Sequence, residues 1–249
     1  MRNKMTEELA VCGMNAVLAV SEHHPETVNR LFLREDRLKS FTGICKQLAE
    51  RKRPYKLCED DELERVCKSV HHQGVVAMIE EPVIEMLSFE DLELWADEKK
   101  TGVLLHSVGN DHNLGAIARA AAFFDASFIV LNEKDTEARL TTSAYRIAEG
   151  GLEHITVRKI TNSAAFLKDA SKKLLTIGTD TRARMRIGDL REVIKKKGVV
   201  LVMGNEETGL PKNVKDQCSY LMRIPGTGNI DSLNVSQAAA LFLHAIFER

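Results

Sequence analysis

Beyond residue 99, short β-branched or apolar runs alternate with stretches of helical period. Residues 103–106, 128–131, 155–157, 174–178, 199–203 and 220–224 are the candidate strands. Strands that alternate with helices predict a parallel α/β sheet. Continuously apolar runs, rather than alternating ones, suit strands buried on both faces. In an open sheet of this kind a ligand sits beyond the carboxyl ends of the strands, so the residues that follow each run are the ones to inspect. The first 80 residues repeat the pattern on a smaller scale, with helical periods near 13–21, 38–51 and 62–68 and strands near 29–33, 55–58 and 75–79. Between the two parts, residues 81–98 are acidic and contain Pro82, which predicts a connection followed by a short helix near 89–95. The expected organisation is a small α/β domain over 1–80, an acidic linker over 81–98 and a larger α/β domain over 99–249.

Composition narrows the class. The chain has 249 residues, 44% hydrophobic and 29% charged, a globular balance that excludes a disordered or collagen-like chain. The longest stretch free of Asp, Glu, Lys and Arg is 232–247, which holds Asn234, Gln237 and His244. It falls short of the roughly 20 apolar residues that span a bilayer. The first ten residues carry Thr6, Glu7 and Glu8 where a signal peptide needs an apolar run. A cytoplasmic protein without a membrane anchor is therefore expected. Cys12, Cys45, Cys58, Cys67 and Cys218 are odd in number and form no C-x-x-C pair, so they read as small apolar residues rather than disulfide or zinc ligands. The adjacent His71 and His72 lack a further ligand at suitable spacing, and no metal is expected.

The net charge of −1 conceals an uneven distribution: the balance is 0 over 1–80, −7 over 81–98 and +6 over 99–249. Arg182, Arg184, Arg186 and Lys195 to Lys197 fall on candidate loops, where they form either an attraction for a polyanion or a solvated surface.

Three loops at the ends of candidate strands carry the chemistry. The first reads Val108-Gly109-Asn110-Asp111-His112-Asn113-Leu114-Gly115-Ala116-Ile117-Ala118-Arg119, with Asn113 as a candidate N-cap and Arg119 on the helix that follows. The second reads Gly204-Asn205-Glu206-Glu207-Thr208-Gly209-Leu210-Pro211. It lacks the Lys and Ser/Thr that follow the last glycine of a nucleotide-triphosphate loop. The third, Pro225-Gly226-Thr227-Gly228-Asn229-Ile230-Asp231-Ser232-Leu233-Asn234-Val235, offers two glycines for close backbone approach to a ligand and Ser232 or Asn234 as a helix cap.

Taken in order, Asn113 to Arg119, Gly204 to Leu210 and Ile224 to Val235 resemble the motifs of the SpoU (TrmH-like) family of SPOUT RNA 2′-O-ribose methyltransferases. The first 80 residues, with His72-Gln73-Gly74, resemble that family's small L30e-like substrate-binding domain. The sequence departs from the family at Asp125, where glycine is usual after the first helix, and at Ala148-Glu149-Gly150-Gly151. Asp tolerates a left-handed backbone better than most residues. The resemblance implies a C-terminal trefoil-knotted α/β fold, S-adenosylmethionine as methyl donor, tRNA or rRNA as substrate, and a homodimer. It places the cofactor on the backbone of Gly204, Ile224 and Leu233 with Thr179 nearby, and aligns Asn113, Arg119, Glu206 and Asn234 with catalytic and structural polar residues. It implies no metal. A guanidinium, with a pKa above about 12, is a poor base, so Arg119 reads as an orienting and charge-stabilising group and the base stays open. Glu206 reads as an acceptor fixing loop N–H groups, and Asn234 as a polar contact joining loop, cofactor and substrate.

Two other readings compete. One is an RNA-binding protein that keeps the fold without turnover. The other, a nucleotide-dependent Rossmann enzyme, lacks G-x-G-x-x-G after its first strand.

Overall fold

The computed structural model describes residues 8–133, 139–195 and 197–248, so Thr6, Glu7 and Lys196 of the stretches named above lie outside the described residues. In chain order the elements are β1 (Glu8–Cys12), α1 (Met14–His23), β2 (Val28–Leu33), α2 (Thr42–Glu50), β3 (Tyr55–Leu57), α3 (Asp60–Cys67), β4 (Val75–Glu80), α4 (Phe89–Asp97), β5 (Thr101–Leu105), α5 (Asp111–Phe123) and β6 (Phe128–Asn132). They continue with α6 (Thr142–Ala148), β7 (Thr156–Ile160), α7 (Ser163–Ala170), β8 (Leu175–Thr179), β9 (Met185–Arg186), α8 (Leu190–Val193), β10 (Val199–Met203), α9 (Lys212–Lys215), β11 (Tyr220–Arg223) and α10 (Val235–Phe247). The chain forms two compact units. One holds the described residues up to Val83 together with Leu140–His154, and the other holds Ile84–Arg139 and the residues from Ile155 onward.

The smaller unit is built on a four-stranded sheet in the order β1-β4-β2-β3, antiparallel except for the β2–β3 pair. Strand β1 is the strand of this unit that the apolar pattern does not reveal, because Glu8 opens it and Ala10 is a poor strand former. It is nonetheless buried along its whole length, and Glu8 is accommodated by an ion pair with Arg30. The His72-Gln73-Gly74 turn does local structural work. Gly13 caps α1 without a side chain, and Gln73 supplies the missing acceptor by taking the Met14 N–H at 2.8 Å. Helix α6, although it follows β6 of the other unit in sequence, packs on β1, and its Ala144, Tyr145 and Ala148 are buried.

The larger unit is a seven-stranded sheet in the order β7-β6-β5-β10-β8-β11-β9, every pairing parallel. The runs Val-Val-Leu-Val-Met of β10 and Thr-Gly-Val-Leu-Leu of β5 are buried at every position, as strands covered on both faces require. Strand β8 lies one place removed from β5, and β10, later in the chain, occupies the place between them. The turns that follow β5, β8 and β10 are thereby brought to one end of the sheet, although the first ends its strand at Leu105 and the other two at Thr179 and Met203. The acidic segment supplies α4, which starts in a Ser88–Asp91 capping box and sends Leu92 and Trp95 into the core. Trp95 stacks on Phe128 with ring centroids 3.7 Å apart, and Gly102 passes beneath that ring, where a Cβ would come within 2.2 Å of it. Asp125 follows α5 at φ 56°, a left-handed position, whereas Ala148 ends α6 within the helix and the left-handed residue there is Glu149 at φ 49°. No helix among the described residues is long and apolar enough to cross a membrane.

Candidate functional site

The site is assembled at the carboxyl ends of the middle strands of the larger unit. After β5 the chain turns through Ser107 at φ 53° and Asn110 at φ 52° before entering α5. The cap of α5 is Asn110, whose Oδ1 accepts the Asn113 N–H at 3.0 Å, and not Asn113 as the sequence suggested. Asn110 and Asn113 are equally good capping residues in sequence, and the positive φ at Asn110 decides the helix start three residues earlier. The shift frees the Asn113 side chain, which is buried on the third residue of the helix, for contacts across the site.

Those contacts join three loops. Asn113 Nδ2 donates to Glu206 Oε1 at 2.5 Å and to the Gly109 carbonyl at 3.1 Å. The second Glu206 oxygen accepts the Gly109 N–H at 3.3 Å. On the other side, Asn113 Oδ1 accepts from Asn234 Nδ2 at 3.2 Å. Asn234 is the N-cap of α10, its Oδ1 taking the Ser236 N–H at 2.9 Å, so its amide is oriented with the NH2 toward Asn113. A carboxylate meeting two donors, followed by two amides head to tail, leaves each group one orientation.

The loop after β10 is shaped by two residues. At Gly204 a Cβ would stand 2.7 Å from Gly209 C and Leu210 N, both backbone atoms, so the loop folds back on itself only with glycine there. Asn205 then closes the turn: its Oδ1 accepts N–H groups of Glu207 and Thr208, each at 3.0 Å, while Nδ2 donates to the Ser107 carbonyl at 2.9 Å. The sequence reading passed over Asn205, although an Asn followed closely by Thr and Gly is the signal of an Asx turn.

The remaining residues lie around this core. Thr179 ends β8, and its hydroxyl donates to the Val202 carbonyl at 3.1 Å. The next residue, Asp180, is paired with Lys215 at 2.7 Å. Burial acts to raise its carboxyl, but the ammonium and the Arg182 N–H outweigh that and hold it below the usual carboxylate range. Ile224 is half-buried at the end of β11, and Leu233 is exposed immediately before Asn234. Gly228 stands at φ +86° with open space around it. Arg119 lies six residues beyond Asn113 on α5 and is exposed. No group of three His, Cys, Asp or Glu side chains among the described residues is placed to hold a metal ion.

Comparison with known proteins gives this geometry a family. The SpoU rRNA Methylase family is matched over residues 100–244, which contain all three loops. The chain belongs to the SpoU rRNA methylase family. Residues 10–83 match a second family, the RNA 2′-O ribose methyltransferase substrate-binding domain. The chain is 32% identical, over 98% of both lengths, to a 23S rRNA (guanosine-2′-O-)-methyltransferase RlmB of Pseudomonas aeruginosa. It is 27% identical over 98% of its length, and 69% of the relative's, to YfiF of Escherichia coli O157:H7, described as an uncharacterized tRNA/rRNA methyltransferase. In structure it is similar to the SpoU methyltransferase AviRb from Streptomyces viridochromogenes, solved in complex with AdoMet. The TM-score is 0.77 at 21% identity, covering 100% of this chain and 93% of that one. The α/β-knot fold and SpoU family that the three motifs pointed to are both found.

Proposed function

We propose that the protein is an S-adenosylmethionine-dependent RNA 2′-O-ribose methyltransferase acting on rRNA or tRNA as a cytoplasmic homodimer. The observation that carries this reading is the hydrogen-bonded chain Glu206–Asn113–Asn234, which ties together the three loops that the family uses. The relatives named for the 23S rRNA guanosine ribose make large-subunit rRNA the first substrate to test.

The residues fit the cofactor. Gly204 lets its loop fold back on Gly209 and Leu210, where a Cβ would not fit, and Gly226 and Gly228 have open space at their Cβ positions for close backbone approach. Backbone groups of Gly204, Ile224 and Leu233 would hold S-adenosylmethionine, with Thr179 at the edge. When bound it supplies an electrophilic methyl group. The chain's own contribution is position, since methyl transfer to a hydroxyl requires in-line approach and much of its barrier is orientational. Arg119 forks onto the ribose hydroxyl and adjacent phosphate, neutralising charge while remaining protonated. Glu206 keeps Gly109 and Asn113 in register, and Asn234 carries that register to the third loop.

The homodimer reading rests on apolar surface. Helices α5 and α10 pack on each other, yet Phe123 of α5 and Leu241 and Phe247 of α10 remain exposed. Phe124 links them, edge-on to Phe123 and 6.1 Å from the Phe247 ring. Exposed apolar side chains on two packed helices suit an interaction surface. Residues 1–80, balanced in charge, serve target choice, and the exposed Arg182, Arg184, Arg186, Lys195 and Lys197 serve phosphate attraction.

Calorimetry or a thermal shift with S-adenosylmethionine tests the cofactor site. At 100 times its dissociation constant the ligand adds about 2.7 kcal/mol to folded-state stability and raises Tm. No shift at millimolar ligand would favour the RNA-binding reading without turnover.

A further inference from the structure

A buried polar group outside the three motif loops is left without a role by the proposed chemistry. His106 directly precedes the left-handed Ser107 at the end of β5, and its backbone N–H donates to the Met203 carbonyl at 2.9 Å. Its ring Nδ1 lies 2.9 Å from the Ser163 hydroxyl, at the first residue of α7. The same hydroxyl accepts from Asn132 Nδ2, at the end of β6, at 3.2 Å. Ser163 is 2% exposed and Asn132 8%, with His106 half-buried, so the polar hydrogens of Ser163 and Asn132 need partners. Asn132 Nδ2 can only donate, and we assign the Ser163 proton to His106 Nδ1. In that assignment the His106 ring carries its own proton on Nε2.

The turn 107–110 is thus held from both sides. On one side Asn205 holds the Ser107 carbonyl and Glu206 holds the Gly109 N–H. On the other, the residue before the turn is pinned to β6 and α7 through its ring. We infer that His106, through Ser163 and Asn132, is a positioning residue for methyl transfer, fixing the start of the turn that delivers Asn113 and Arg119. The trio has no part in holding the cofactor, whose loops follow other strands.

This inference rests on the methyltransferase reading, and its test separates the two. In the full-length protein, His106→Ala lowers kcat for RNA methylation roughly 10- to 100-fold, the scale on which small misplacements act. The S-adenosylmethionine dissociation constant stays that of the wild type. His106→Asn, whose amide oxygen stands where Nδ1 stood, restores kcat, whereas His106→Gln, which mimics Nε2, does not. Ser163→Ala reproduces the loss, and the double variant with His106→Ala loses no more than either single one. Nitrogen NMR of the wild-type ring finds the proton on Nε2. Rescue by Gln instead of Asn would assign the ring to a substrate contact and overturn the proposal. Equal kcat in all variants, additive losses, a parallel loss of cofactor binding, or a proton on Nδ1 would overturn it as well. A wild-type protein that methylates no RNA defeats the functional reading itself, and the nitrogen spectrum still decides the anchor.

Discussion

Glu206 receives two donors, and that decides what its replacement does. Glu206→Gln turns one accepting oxygen into an NH2 aimed at either the Gly109 N–H or Asn113 Nδ2. Losing a hydrogen bond to a charged group costs about 1.5–3 kcal/mol. Steady-state kinetics on RNA should show that cost in kcat, with the protein still folded. Arg119→Ala should abolish most methyl transfer and leave S-adenosylmethionine affinity near wild type, and Arg119→Lys should recover little, since a point charge cannot reproduce the fork. Full activity in the Lys variant would contradict the bidentate role. At this scale the sequence showed which polar residues to inspect but not how they are oriented. Asn110, Asp111 and Asn113 are all acceptable caps, and only the backbone at Asn110 assigns the role. His106 was invisible because its partner Ser163 comes from distant chain, and of Asn205 only the local turn was legible, not its bond to Ser107.

Among the elements, α10 couples stability to the site. Its cap Asn234 accepts the Ser236 N–H while donating to Asn113. Asn234→Ala should cost about 1 kcal/mol of stability, read as a lower Tm. Asn234→Asp keeps the cap and should recover Tm, but not the contact with Asn113, because a carboxylate has no donor. The strands of the large sheet were legible because β5, β6 and β10 are unbroken apolar runs, which burial on both faces demands. Strand β1 was not legible, since an ion pair with Arg30 rather than apolar character allows its Glu8 to be buried. Nor could sequence order show that α6, between β6 and β7, packs in the small unit against β1. Deleting residues 1–80 would strip the cover from Ala144, Tyr145 and Ala148, so the contribution of the small unit is better tested by surface substitutions than by truncation.

For the whole molecule, the motifs specified a family because three short loops, far apart in sequence, meet only in one strand order. Oligomeric state follows from apolar area instead. Light scattering at micromolar concentration should give the mass of two chains, and Phe247→Asp, which places a charge on the helix pair that exposes Phe123 and Leu241, should give one. A wild-type mass of one chain would contradict the dimer. The central claim is transfer of a methyl group to a ribose hydroxyl, and one measurement addresses it most directly. The purified protein is incubated with methyl-labelled S-adenosylmethionine and ribosomal and transfer RNA from cells lacking it, and the RNA is then hydrolysed with alkali. A 2′-O-methyl group blocks cleavage of the adjacent phosphodiester, so the label should emerge in alkali-resistant dinucleotides. Label recovered in mononucleotides, as base methylation gives, or no transfer by a protein that binds the cofactor, would contradict the account.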